Sequence, residues 1–344
     1  MACPGENTIT AFLGGALTQS RIAAVESHLE GCAECRDLLR MTATRDERQP
    51  GARGPATLAP GDRVDDYLLE AVLGAGGMGV VYAATDLTLR RRVALKVPNL
   101  PARAAPGFLE RFRVEARSMA RMSHHNVVTI YRVGEFPGGV FIAMELIQGE
   151  TARAWLRQRR SPREVRQVFL QAARGLAAAH GVGLVHRDFK PDNVLVGDDG
   201  RVCVSDFGVA WVPALQERLV ADAPQATRGA AHDARLTQDG WALGSPAYMA
   251  PEQMLGSSVD AKTDVFSYCV SLYEALCGER PFAGATLSGL SRAIHAGATA
   301  RGPLQARTTA ALCDAILRGL SAAPGQRPAL VELIGALHES PDLA

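Results

Sequence analysis

The chain of 344 residues balances 37 Lys and Arg against 36 Asp and Glu, a formal net charge of +1, and 47% of it is hydrophobic. That length can bury one large domain and a small one, whereas the near-zero charge offers no field for nucleic acid or an anionic membrane surface. No stretch has the roughly 18 uninterrupted apolar residues of a spanning helix, and polar and acidic residues stand where a signal peptide would be basic and apolar; a cytoplasmic protein is expected, with neither a membrane nor nucleic acid as partner.

The first 45 residues predict two or three short helices, broken at Gly14 and Gly15 and ended at Gly31. They are too few to hold a firm core unaided. Within them His28, Cys32 and Cys35 form H-x-x-x-C-x-x-C, with Cys3 available as a fourth ligand. The spacing suits tetrahedral Zn²⁺, with His28 and Cys32 four apart across a helix end and the C-x-x-C as a knuckle. Zinc would also supply folding free energy that so small a core lacks. A redox C-x-x-C competes with this reading, but it normally follows a strand in a thioredoxin-like unit; free structural thiols would leave the histidine unexplained. The segment resembles the zinc-binding anti-sigma-factor domain. Cys203, Cys269, Cys277 and Cys313 lie scattered in apolar sequence and read as reduced core thiols.

Residues 46–64, rich in Gly, Pro and charge, predict a flexible linker to a second domain over 65–340. That domain opens with three strand-like runs, "YLLEAVLG", "GVVYAATD" and "RRVALKV". A helix is predicted from Phe108 to Met122, then two more strands in "VVTIYRVGE" and "VFIAMEL", and helices dominate from Thr151. Strands first and helices later predict an α+β, bilobal protein with a small antiparallel sheet lobe and a larger helical lobe.

Between the first two strands, "LGAGGMGVVY" sets Gly74, Gly76, Gly77 and Gly79 where backbone can approach a pyrophosphate or triphosphate. Taken alone, such a loop is equally a hairpin or a Rossmann turn. A strand follows it instead of a helix, however, and Lys96 sits in the apolar "VALKV", where a buried ammonium needs an anion. Glu115 lies within the apolar stripe of Phe108, Phe112 and Met119 and is the carboxylate expected to meet it, although a slightly rotated helix would leave it solvated or paired with Arg111.

Further on, "LVHRDFKPDNVLV" sets Asp188, Lys190 and Asn193 on a turn forced by Pro191, and Asp206 follows the strand-like "VCVS". Charges in so apolar a frame must face something other than water. A carboxylate to take a hydroxyl proton, and oxygen ligands from Asn193 and Asp206 for a hard cation such as Mg²⁺, fit a nucleotide-dependent phosphoryl transferase. With "GAGGMGVV", "VALK", "HRDFKPDN", "DFG", "GSPAYMAPE", "DVFS" and "GQRP" in order over residues 67 to 340, the sequence resembles the eukaryotic-type serine/threonine protein kinases of bacteria; anti-sigma-like zinc domains also appear ahead of such kinases.

The resemblance implies ATP and Mg²⁺ as cofactors. Lys96 would bind the α and β phosphates, positioned by Glu115; Asp188 would be the catalytic base; Lys190 would steady the transferring phosphoryl group; Asn193 and Asp206 would hold the metal. The nucleotide would lie against Leu73, Gly74, Ala75, Gly76, Gly77, Met78, Gly79, Val80 and Val81, with Met144 preceding a hinge at Glu145 and Leu146. Structural parts would fall to Glu252 with Arg327, to Asp264 bracing the catalytic loop, and to His186 and Phe207 as packing residues. Ser245 stands where relatives often have Thr, and Phe266 where Trp is commoner. Val209 to Leu243 would be the activation segment, with Thr237 and then Thr227 as phosphate acceptors facing Arg187 and with Asp239 either a plain solvated residue or a fixed negative charge in place of a phosphate. An ATP-dependent kinase acting on Ser/Thr of protein substrates is therefore expected, with a regulatory protein docking at the zinc module. The alternative is a kinase-fold scaffold whose zinc module mediates protein–protein regulation.

Overall fold

The structure is a computed structural model describing residues 25, 28, 32, 58–76, 79–99, 122–137, 139–207, 246–284, 287–297 and 301–339. Its contacts divide the chain into two units, Met1–Ala56 and Thr57–Ala344. In the first, Val25 and His28 are helical and the Cys32 N–H donates to the His28 carbonyl at 3.1 Å, a helical turn that brings His28 and Cys32 to one face. Cys3 and Cys35 lie outside the described residues, as do Glu115, Gly77, Met78, all of the predicted helix except Met122, and the activation segment.

Alternating apolar residues in the second unit build a six-stranded antiparallel sheet. Its strands are β1 (Arg63–Val64), β2 (Tyr67–Gly76), β3 (Gly79–Asp86), β4 (Arg91–Pro98), β5 (Ile130–Phe136) and β6 (Gly139–Met144), in the order β1-β2-β3-β4-β6-β5. One face packs Tyr67, Leu69, Val93, Leu95 and Phe141; the other packs Ala94, Ile130, Ile142 and Met144 with Cys203. Lys96 follows Ala94 by two, so strand alternation aims it at this second face, and Val81 and Ile142 are its partners on the neighbouring strands.

Residues 58–64, assigned to the linker from their Gly, Pro and charge content, belong to this lobe. Leu58 packs on the sheet and its carbonyl accepts from the Tyr82 hydroxyl at 3.0 Å, Gly61 and Leu69 are joined by a backbone hydrogen bond of 2.8 Å, and Arg63–Val64 pair with β2. Turn chemistry and a two-residue strand carry no apolar period, which is why composition reads them as linker.

The glycines of the β2–β3 flap differ in what demands them. Gly79 has φ +133° and a Cβ there would lie 2.3 Å from the Val97 carbonyl oxygen, whereas a Cβ at Gly74 or Gly76 meets nothing within 4 Å. Gly79→Ala is expected to cost about 1–3 kcal/mol and Gly74→Ala to stay within about 0.5 kcal/mol, as chemical denaturation would measure.

A three-stranded sheet of β7 (Gly149–Thr151), β8 (Val194–Gly197) and β9 (Val202–Val204) caps the helical lobe. The helices are α1 (Ala152–Trp155), α2 (Pro162–Gly181), α3 (Pro251–Met254), α4 (Ala261–Cys277), α5 (Leu287–His295), α6 (Arg301–Gln305), α7 (Ala310–Gly319) and α8 (Leu330–His338). A Ser161–Glu164 capping box with Pro162 in the first turn starts α2, and Asp260 caps α4, which ends at Gly278 in the left-handed region. Buried α4 anchors the lobe, and Tyr268 on it stacks edge-on against Phe169 of α2. Backbone bonds from Val128 to the Val204 carbonyl and from Val204 to the Asn126 carbonyl join the chain ahead of β5 to β9.

Candidate active site

The catalytic loop is held from below by one buried carboxylate. Asp264, fully buried on α4, accepts the N–H groups of His186 (2.7 Å) and Arg187 (2.8 Å) and the His180 imidazole (2.7 Å). Arg187 has φ +67°, a conformation that costs a non-glycine residue of order 1–3 kcal/mol unless its surroundings impose it. The Asp264 carboxylate and a bond from Gln253 to the Arg187 carbonyl at 2.7 Å impose it here.

Above this brace the loop residues interlock. Lys190 Nζ lies 2.7 Å from Asp188 Oδ2, and Asn193 Nδ2 donates to the Asp188 carbonyl at 2.7 Å and to Oδ2 at 3.2 Å. The Asn193 carbonyl accepts the Ser205 N–H at 2.9 Å, next to Asp206. His186 completes the tie: Nδ1 accepts from the Asp188 N–H at 3.3 Å while Nε2 donates to the Ser205 carbonyl at 2.8 Å, so its proton sits on Nε2. Its ring packs 4.7 Å from Phe207 and 5.8 Å from Phe189, and the aromatic row continues to Tyr268. His186 and Phe207 are thus packing residues.

Lys96, 6% exposed, finds its anion in Asp206, with Nζ 2.7 Å from Oδ1. Burial alone would raise the Asp206 carboxyl, but the charge and hydrogen bond of Lys96, with the charge of Lys190 beyond, hold it below the ordinary value. Asp206 is therefore an ionised oxygen donor one residue after Ser205, whose N–H bonds to the Asn193 backbone; a carboxylate and a side-chain amide are the oxygen donors that a hard cation takes. Asp206 has φ +58°, a second left-handed non-glycine residue in the site.

The wall opposite is apolar. Val81, Ala94, Met144, Leu146, Ile147 and Leu195 cluster with Cys203, whose thiol is pushed up to about 11 by burial and stays protonated. The open space around Gly74 and Gly76 leaves room for a polyphosphate that side chains would obstruct. The Glu145 carboxylate is held by Arg201 and by the Thr129 N–H.

The protein kinase domain family matches residues 67–334. The chain belongs to the protein kinase family. Among its relatives, the serine/threonine-protein kinase PknL of Mycobacterium bovis is 40% identical over 238 residues, 69% of this chain and 55% of its own length. PknA of Mycobacterium tuberculosis is 38% identical over 225 residues, 63% of this chain and 48% of its own. The chain thus spans about half the length of these curated relatives. A crystal structure of a double mutant of the Mycobacterium tuberculosis PknI kinase domain has TM-score 0.61 and 26% identity, and covers 82% of this chain and 99% of that one. The fold is the protein kinase fold. Residues 7–36 match a family described as "Putative zinc-finger", a span that holds His28, Cys32 and Cys35 and excludes Cys3.

The kinase fold pairs Lys96 with Asp206 and joins Asp188, Lys190 and Asn193, while Leu73, Gly74, Ala75, Gly76, Gly79, Val80 and Val81 lie on β2 and β3 and Glu145 is followed by Leu146 in the apolar wall. Lys96 meets Asp206 where Glu115 was the partner expected; Glu115 itself is not among the described residues. Ala94, Ile147 and Leu195 were missed because an apolar wall has no chemical signature. Also missed was Arg153 on α1, which donates to Asp192 at 3.3 Å, to Glu274 at 3.1 Å and to the Tyr248 hydroxyl. Tyr248 in turn donates to Glu274, so the chain just ahead of α3 is tied to the catalytic loop. A lone arginine in "TARAWL" gives no hint of partners so far along the chain. No described helix is long and apolar enough to cross a membrane.

Proposed function

We propose that this chain is an ATP- and Mg²⁺-dependent protein kinase that phosphorylates Ser and Thr, its own activation segment included. The observation that carries this is the linked set in which Lys96 pairs with Asp206 at 2.7 Å, the Ser205 N–H bonds to the Asn193 backbone, and Asn193 reaches Asp188. Asp188 takes the proton of the attacking hydroxyl as its oxygen bonds to the γ phosphorus and the bond from that phosphorus to the β,γ-bridging oxygen breaks, leaving ADP. Lys190, beside Asp188, faces the charge of the transferring group, and Lys96 binds the α and β phosphates, with Glu115 as its second carboxylate partner. Asp206 and Asn193 hold Mg²⁺, which when bound neutralises charge on the phosphate oxygens. The flap over 73–81, Gly77 and Met78 included, covers the nucleotide, and Glu145 and Leu146 offer it backbone.

The test is transfer of labelled phosphate from ATP by the full chain to itself and to a generic protein acceptor. Incorporation into Ser and Thr, mapped by mass spectrometry to 209–245 with Thr237 foremost, is expected; no transfer under any divalent cation would overturn the reading.

A second module fits zinc. His28 and Cys32, one helical turn apart, present a nitrogen and a sulfur to one side, and Cys35 and Cys3 complete a tetrahedral set. The module spans 1–45, precedes the kinase domain, and docks a regulatory protein; both work in the cytoplasm. Purified full chain should carry near-equimolar zinc, lost in Cys32→Ser and in Cys35→Ser. A wild-type protein free of zinc after purification without chelators would remove this assignment.

A further inference from the structure

We infer that Arg201, in the turn before β9, is a positioning residue that sets nucleotide affinity by clasping the hinge. Its guanidinium reaches three ways. Nε donates to the His125 carbonyl at 2.7 Å, Nη2 donates to Glu145 Oε2 at 3.2 Å, and Nη1 pairs with Glu145 Oε1. Its backbone N–H donates to Asp199 Oδ1 at 2.9 Å, which fixes the turn it sits on. Glu145 is bracketed from the other side, its N–H donating to the Thr129 carbonyl at 2.8 Å and its carboxylate accepting the Thr129 N–H at 3.3 Å.

Three separate pieces of chain therefore meet in one ion pair: the residues ahead of β5, the hinge, and the β8–β9 turn. An exposed pair of this kind contributes little. This one differs, because both side chains are only 21% exposed and the fork is bidentate, the geometry that restricts orientation as well as distance. Burial alone would raise the Glu145 carboxyl, yet Arg201 and Thr129 hold it below its ordinary value, so the pair is ionised.

The location gives the clasp a functional lever. Glu145 immediately follows Met144 and precedes Leu146 and Ile147, which line the apolar wall, while the strand that begins after Arg201 carries Cys203 in the same wall and ends just before Asp206. Fixing Glu145 to Arg201 thus fixes the spacing between the hinge backbone and the floor on which a nucleobase would lie. None of the atoms of Arg201 reaches the reacting groups, so the effect falls on binding and not on transfer.

This inference rests on the cleft being a nucleotide site, and the experiment separates the two. ATP affinity and steady-state kinetics would be measured for the full chain and for Arg201→Gln, Arg201→Lys and Glu145→Gln. Expected is an approximately tenfold weaker affinity and higher KM for ATP in Arg201→Gln and Glu145→Gln, with kcat within about twofold in Arg201→Gln and with partial recovery in Arg201→Lys, which keeps one charge but loses the fork. A wild type that binds ATP alongside an Arg201→Gln that binds it equally well or more tightly would overturn the clasp alone. A fall in kcat with KM unchanged would also overturn it, since that is the mark of a group acting in transfer. Failure of the wild type to bind ATP would sink the nucleotide site itself.

Discussion

Asp188→Asn is expected to cut phosphoryl transfer about 10²–10⁴-fold, the range a positioned base supplies, and to leave the thermal midpoint nearly unchanged. The amide keeps the size of the carboxylate, and the loop does not depend on that charge for its shape. Its backbone is set by Asp264 beneath His186 and Arg187, and the Asp188 N–H and carbonyl bond to His186 and Asn193 whichever side chain is present. What the substitution removes is the acceptor for the hydroxyl proton and the partner of Lys190 at 2.7 Å. Labelled-ATP transfer, paired with a nucleotide-binding titration, checks this: binding should survive while transfer does not. Transfer at the wild-type rate would mean that the proton goes elsewhere.

Arg327→Ala is expected to be the most destabilising single change considered. Arg327 has no exposed side-chain surface, and its Nη1 and Nη2 meet the two Glu252 oxygens at 2.6 and 2.9 Å. It also donates to the carbonyls of Ser321, Lys262 and Ala322, and its guanidinium lies 5.0 Å from the centre of the Phe266 ring. Removing it leaves Glu252 buried with only the Thr263 hydroxyl as a side-chain donor, and breaking such a pair costs about 3–5 kcal/mol. For a domain of this size that is roughly 6–20 °C in the thermal midpoint. The double variant Glu252→Leu with Arg327→Met, which leaves neither charge behind, should recover part of the loss.

The same pair fixes a pH dependence. Burial would raise the Glu252 carboxyl from 4.5, but Arg327, its own backbone N–H and Thr263 outweigh that and lower it. A carboxyl lowered by folding adds stability that is complete above its unfolded value and drains away as pH falls through the folded one. Stability of the wild type should therefore decline below about pH 4.5, and Glu252→Gln, weaker at neutral pH, should show a shallower decline in acid denaturation followed by fluorescence.

The parts legible in the sequence are those where chemistry breaks a pattern. Asp188, Lys190, Asn193 and Asp206 stand out because they put charged and polar groups into apolar surroundings, and Lys96 because a lone ammonium interrupts a strand; Asp264 and the Glu252–Arg327 pair were reached only through family resemblance. Arg201 and Arg153 were invisible for the opposite reason, as each looks like an ordinary surface arginine until the fold brings Glu145 or Glu274 to it. The apolar wall of Ala94, Ile147 and Leu195 was equally hidden, since its residues differ from other core residues only in what they face. The start of the sheet lobe was set too late because the turn after Leu58 is polar in composition, although Leu58 itself is packed.

The Lys96–Asp206 contact has a mechanical consequence. Lys96 belongs to the sheet, while Asp206 follows a residue bonded to His186 and Asn193, so each end is rooted in a body that keeps its own shape. Prising the upper body from the lower one must strip a shielded ammonium of its counter-ion. The two bodies part against an electrostatic tether, and an anion taking the place of Asp206 at the lysine would slacken it.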